Sequence, residues 1–118
     1  MLNDTAVEQI YLACGSTDMR KSIDGLAAIV QEAFELDPFS NACFVFCNRS
    51  CDKLKLLRWE HNGFWLYYRR LERGRFQWPM SQKGETLTIE HRQLVWLLDG
   101  LTLEQGRAHP AVRARKVV

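Results

Sequence analysis

The chain has 118 residues, 47% of them hydrophobic and 25% charged, and a formal net charge of +2. That length points to one domain with room for a buried core, and that composition argues against disorder. No apolar run approaches the ~20 residues of a membrane span, and MLNDTAVEQIYLACGS lacks the basic start of a signal peptide, so the expected location is the cytoplasm.

Residues 7–13, VEQIYLA, read as a short strand, followed by a turn at Gly15 and Ser16. Asp18 is a fitting N-cap for a helix over 19–36, where Met19, Ile23, Leu26, Ala27, Val30, Ala33 and Phe34 form one apolar face. Arg20 can pair with Asp24, four residues along that helix. Gly25 costs about 1 kcal/mol against Ala inside a helix and reads as a close approach of helix to sheet. Pro38 disfavours helix at Asp37 and ends the element. ACFVFCN at 42–48 and KLKLLRWE at 53–60 read as strands. Asn62-Gly63 is a strong hairpin signal, so 53–60 and 64–71 are expected to pair antiparallel. The second of these, FWLYYRRL, begins with five residues that are apolar on both faces. One face can lie on the helix. The other needs the C-terminal helix, a second subunit or a ligand. SQKGET reads as a loop, Thr88 as the cap of a helix over 90–99, and Gly100 as its stop. The expected fold is α+β: a small antiparallel β-sheet of about four strands packed on a long N-terminal helix, with a short C-terminal helix. It spans 1–106 as a single domain, and RAHPAVRARKVV at 107–118 reads as a flexible basic tail.

Charge is unevenly spread. Residues 1–48 carry two basic and seven acidic groups, residues 49–75 eight basic and three acidic, and residues 76–118 six basic and four acidic. The basic region also holds Trp59, Trp65, Tyr67 and Tyr68. Cations that grip phosphates, interleaved with aromatics on which bases stack, suit nucleic acid. The candidate contacts are Arg49, Lys53, Lys55, Arg58, Trp59, Trp65, Tyr67, Arg69, Arg70, Arg73 and Arg75. Strand alternation puts Lys53, Lys55 and Trp59 on one side and Arg58 on the other. A protein interface alone, or an aromatic core with a solvated cationic rim, would use the same residues. The low total charge argues against strong autonomous DNA binding, and the division could equally pair the chain's halves or dock two copies.

No catalytic residue is assigned. A nuclease or transposase gathers several carboxylates on metal ions, and the acidic groups here are scattered. Glu72, between Arg70, Arg73 and Arg75, is suited to orienting an arginine. No metal or cofactor is expected: as strand residues, Cys43 and Cys47 lie roughly 13 Å apart, too far for one zinc ion or a disulfide. Together with Cys14 and Cys51 they read as reduced thiols. His61, His91 and His109 stand alone.

The order of elements carries recognisable words: YLACGSTDMRKSIDGLAAIVQE at 11–32 and DPFSNACFVFCNRSCDKLKLLRWEHNGFWLYYRRLERGRFQWP at 37–79. Over residues 8 to 100 the chain resembles the small accessory protein, often called TnpB-like, of bacterial insertion-sequence family sixty-six. This is distinct from the much larger RNA-guided nuclease that shares the label. The resemblance rests on Gly15, Asp18, Met19, Arg20, Asp24, Gly25 and Leu26, on Asp37-Pro38-Phe39 with Phe44, Val45, Phe46, Asn48 and Arg49, and on Lys55, Leu57, Trp59, Gly63, Phe64, Leu66, Arg70, Leu71, Glu72, Gly74, Phe76, Trp78 and Pro79. Cys47 stands where that family usually has a basic residue, and Cys51 in a turn that often carries another, which thins the basic patch. The resemblance implies a role in transposition beside a separate transposase and a second small accessory protein. Two functions stay open: a factor that contacts DNA or a transposase–DNA complex, and a protein adaptor or homodimeric scaffold without DNA affinity.

Overall fold

The structure, a computed structural model, describes residue 7 and residues 9–104. In chain order it contains β1 (Gln9–Ala13), α1 (Ile23–Ala28) continuing as a π-helical turn (Ile29–Ala33), β2 (Ala42–Cys47), β3 (Lys53–Glu60), β4 (Gly63–Arg70), β5 (Thr86–Ile89) and α2 (His91–Leu98). The strands form one sheet in the order β4-β3-β2-β1-β5. β1 and β2 are parallel, with Gln9 opposite Ala42, and the other neighbours are antiparallel. The expected tail at 107–118 lies outside the described residues.

The expected antiparallel sheet of about four strands on a long N-terminal helix is therefore corrected to a mixed five-stranded sheet with two short helices. The first correction is strand direction. Residues 14–41 carry the chain back over the sheet between β1 and β2, and such a crossover is what parallel neighbours require. β2 is buried at all six positions, as expected of a strand covered on both faces. The second is helix length. Asp18 accepts the Arg20 amide at 2.9 Å and the Lys21 amide bonds the Asp18 carbonyl at 3.1 Å, so residues 18–21 form a turn. The helix begins after Ser22, not after Asp18, and Arg20 pairs with Asp18 rather than Asp24. At the other end Glu35 adopts φ 57, and the Leu36 amide closes on the Val30 carbonyl at 3.0 Å, ending the helix before Pro38 acts. The atoms nearest a Cβ on Gly25 belong to Lys21, at 3.2 Å, so Gly25 makes room for the helix's own approach segment rather than for the sheet. The third is β5, which occupies part of the expected loop. Thr88 lies inside that strand, and Glu90 caps α2 through a reciprocal capping box with Gln93.

Both faces of the central sheet are covered. Leu26 and Val30 pack with Phe44, Phe46 and Leu57 on one side. On the other, Phe76, Trp78, Leu94 and Leu97 cover Ile10, Leu12, Val45, Leu54 and Leu56. Trp78 Nε1 also donates to the Ala13 carbonyl at 3.0 Å, tying the segment after β4 to β1. The hairpin turns on His61 and Asn62, both at positive φ, with Glu60 opposite Gly63. This two-residue loop matches the twist of its strands, and it makes Gly63 the first residue of β4.

Candidate nucleic-acid interface

Alternation divides the basic block between the two faces of the sheet. Pairing sets Lys53 against Arg70, Lys55 against Tyr68 and Trp59 against Phe64 on the α1 side; Leu54 faces Arg69, Leu56 faces Tyr67 and Arg58 faces Trp65 on the α2 side. The eleven candidate residues thus form no single stripe.

On the α1 side, Arg49, Lys53 and Lys55 line an open cleft of about 940 Å³. They are joined by Arg20, Lys83 and Tyr68, with Asp18 as the one acidic residue of the lining. Three segments distant in sequence build the walls. One is the turn after β2, organised by Asn48. Its Oδ1 accepts the amides of Asp52 and Lys53, both at 3.0 Å, and its Nδ2 donates to Asp52 Oδ1 at 2.7 Å. That bond is the main reason the Asp52 carboxyl lies below its ordinary range. A second wall is residues 16–20, held to the end of β2 by the Thr17 amide on the Cys47 carbonyl at 2.7 Å. The third is the loop at Lys83, whose Nζ donates to the Ser16 carbonyl. Gly15 permits this closure. It adopts φ +81, and a Cβ there would meet Lys83 Cβ at 2.7 Å.

Two cations of the cleft, Lys55 and Lys83, are held by backbone carbonyls, and two, Arg20 and Lys53, lie against carboxylates. Lys55 Nζ donates to the carbonyls of Met19 and Lys21, both at 2.8 Å, and sits 5.8 Å from the Tyr68 ring centroid. Arg20 chelates Asp18 with Nε at 3.0 Å and Nη2 at 2.8 Å. These hydrogen bonds hold the Asp18 carboxyl down to about 2 from its ordinary 3.8. Lys53 lies 3.7 Å from Asp52. Tyr68 is 53% exposed beside these charges and presents a ring to the opening.

The other candidates are placed elsewhere. Arg58 is buried, with Nη2 3.4 Å from Glu60. Trp59 packs edge-on against Phe64 and Phe39 at the hairpin end, both at 5.0 Å between centroids, and Phe39 is exposed. Trp65 stacks on Tyr67 at 6.0 Å and donates to Glu60 at 3.0 Å. Arg70 is engaged by Glu72 at 2.8 Å, the orienting role expected of that glutamate. Arg69, next to last in β4, lies on the α2 side, and Arg73 follows in an exposed bend. Arg75 lines a separate groove with Cys51, Trp78 and Glu104. Sequence reasoning did not assign Arg20, Tyr68 or Lys83 to the site. Arg20 and Tyr68 stood within segments it had singled out, whereas Lys83 had no local signal at all.

Among the described residues, no three His, Cys, Asp or Glu side chains cluster closely enough to hold a metal ion. All four cysteines are free thiols; burial, and then Cys51 beside it, push the Cys47 thiol up. No helix among the described residues is long and apolar enough to cross a membrane.

No solved structure shows a significant match to the chain. Uncharacterized protein y4hO of Sinorhizobium fredii is 41% identical over 93 residues, which cover 79% of this chain and 80% of that protein. Uncharacterized protein y4jC of the same organism is 31% identical over 109 residues, 92% of each. The sequence model described as IS66 Orf2 like protein matches residues 8–108. With the whole sheet and its cleft inside that match, the chain belongs to the IS66 Orf2-like family of insertion-sequence-associated proteins.

Proposed function

We propose that this protein is a non-catalytic accessory factor of transposition that grips nucleic-acid phosphates in the cleft between the Asn48 turn, the 16–20 segment and Lys83. The observation that carries this reading is the charge of the lining. Five cations share it with one carboxylate, Asp18, which Arg20 already engages. Backbone carbonyls position Lys55 and Lys83 without neutralising them. A fixed excess of positive charge in a concave site attracts a polyanion, and an exposed tyrosine beside it offers a ring on which an unpaired base can stack. The working partner is DNA, alone or already held by the transposase.

The test is fluorescence anisotropy with duplex and single-stranded DNA from the ends of the element, across a salt series. Binding that weakens with salt and is lost on charge reversal at Arg49 and Lys53 supports the reading. Absence of binding at low salt overturns it. It would then favour a protein adaptor, for which exposed Phe39 over Trp59 and Phe64 is the most suitable docking surface. Co-purification with the transposase would test that alternative.

A further inference from the structure

β4 is an outer strand of the sheet, eight residues long, and among the described residues no strand lies beyond it. Its flanks carry two exposed aromatics, Trp65 at 51% and Tyr68 at 53%. A long open edge is a template for another strand, and proteins usually blunt it. The other edge, β5, has four residues and offers much less.

The hairpin fixes which backbone groups of β4 are available. A two-residue loop makes Glu60 and Gly63 the closing hydrogen-bonded pair. Bonding then alternates, so Gly63, Trp65, Tyr67 and Arg69 bond to β3. The amides and carbonyls of Phe64, Leu66, Tyr68 and Arg70 point outward.

We infer that a second copy of this chain pairs antiparallel with this edge, about a two-fold axis through Tyr67, to form one continuous ten-stranded sheet. Directly opposed residues of an antiparallel pair share a face, so the axis must pass through a residue and stand perpendicular to the sheet. Centred on Tyr67, the register sets Phe64 opposite Arg70 of the second copy and Leu66 opposite its Tyr68. All four outward-pointing residues of each copy then find outward-pointing partners. Centring one residue earlier leaves Arg70 without a strand partner, and one later leaves Phe64 without one. The side chains select the same arrangement. Trp65 lies opposite Arg69 and Phe64 opposite Arg70, so each arginine meets an aromatic ring while like charges stay apart. A parallel pairing in register would set arginine beside arginine. This self-complementarity favours a second copy over an unrelated strand. The pairing stands independently of the nucleic-acid reading, although it would place both clefts on one face of the joined sheet.

Sedimentation equilibrium of the full chain should give twice 13.8 kDa. Tyr68→Pro removes one outward amide per copy, and proline is tolerated at such edge positions. It should weaken the dimer by about tenfold, the loss of two hydrogen bonds by symmetry, whereas Tyr68→Val should not. Cross-linking reads the register directly and needs no fragile variant. Tyr67→Cys brings two thiols together across a non-bonded pair, with Cα atoms about 4.5 Å apart, within disulfide reach. Under diamide it should yield a disulfide dimer. Trp65→Cys should not, because its mate is displaced roughly 13 Å along the strand. A monomer at every concentration overturns the inference. So does a dimer that cross-links through position 65 rather than 67.

Discussion

Replacing Arg49 by Ala removes a cleft cation whose surroundings otherwise stay intact, because the turn that carries it is held by Asn48 and not by the guanidinium. The size of the effect follows from the charges. Five cations line the cleft; Asp18 offsets one and Asp52, 3.7 Å from Lys53, offsets another, leaving an excess of three. If these three neutralise three phosphates of duplex DNA, log Kobs falls with log salt with a slope of about −2.7. Affinity then drops roughly 40-fold between 50 and 200 mM salt. Arg49→Ala should move the slope to about −1.8 and shrink that drop to roughly 12-fold. The loss should be similar for unrelated sequences, because phosphate contacts carry no sequence information directly. Anisotropy titrations of both proteins against one labelled duplex at four or more salt concentrations measure this. Equal slopes for the two proteins would refute the placement of phosphate in the cleft. A slope that responds instead to Arg69→Ala and Arg73→Ala would move the contact to the far side of β4.

Asn48→Ala leaves two turn amides without their acceptor and should cost about 1–3 kcal/mol, a fall in Tm of about 3–10 °C by circular dichroism; an unchanged Tm would show that the turn holds itself. Trp78→Phe loses the donor to the Ala13 carbonyl and should lower stability by about 1–3 kcal/mol, read as a lower urea midpoint at constant slope. The Asp18 carboxyl should titrate by NMR near its depressed value of about 2 and return toward 3.8 in Arg20→Ala. Because the folded value is depressed, this pair's contribution to folding is complete above the ordinary carboxylate range and disappears as pH falls through about 2. A wild-type midpoint near 4 would mean that the chelate does not form in solution.

Strand positions were legible where the pattern is local. KLKLLRWE forms β3 residue for residue, because its alternation and the turn residues beside it suffice. Direction was not legible. Whether β1 runs with or against β2 depends on the path of residues 14–41, and a strand's own residues read alike either way. β5 was missed for a related reason. Its first three residues are not buried and only Ile89 enters the core, so it is a strand because β1 presents an open edge to it. The helix was overextended because apolar spacing reaches back to Met19, whereas the Asp18–Arg20 chelate holds that segment in a turn. Here a local polar contact outweighs periodicity.

The split of the basic block was within reach, since alternation alone separates Lys53 and Lys55 from Arg58, and Arg69 from Arg70. The cleft itself was not. It joins Arg20, Arg49 and Lys83 from three distant segments, and Lys83 arrives only because Gly15 can adopt a positive φ beside it. The charge totals do not reveal this cleft, for a physical reason. The acidic first part of the chain does pack against the basic block, but at Lys55 it meets that block with the carbonyls of Met19 and Lys21. Ser16 likewise receives Lys83 through its carbonyl. A carbonyl orients an ammonium and leaves its charge in place, whereas a carboxylate would cancel it. A chain of low net charge can therefore hold a concentrated positive site, and the partner of each cation, rather than the sum over the sequence, decides how strongly a phosphate is drawn to it.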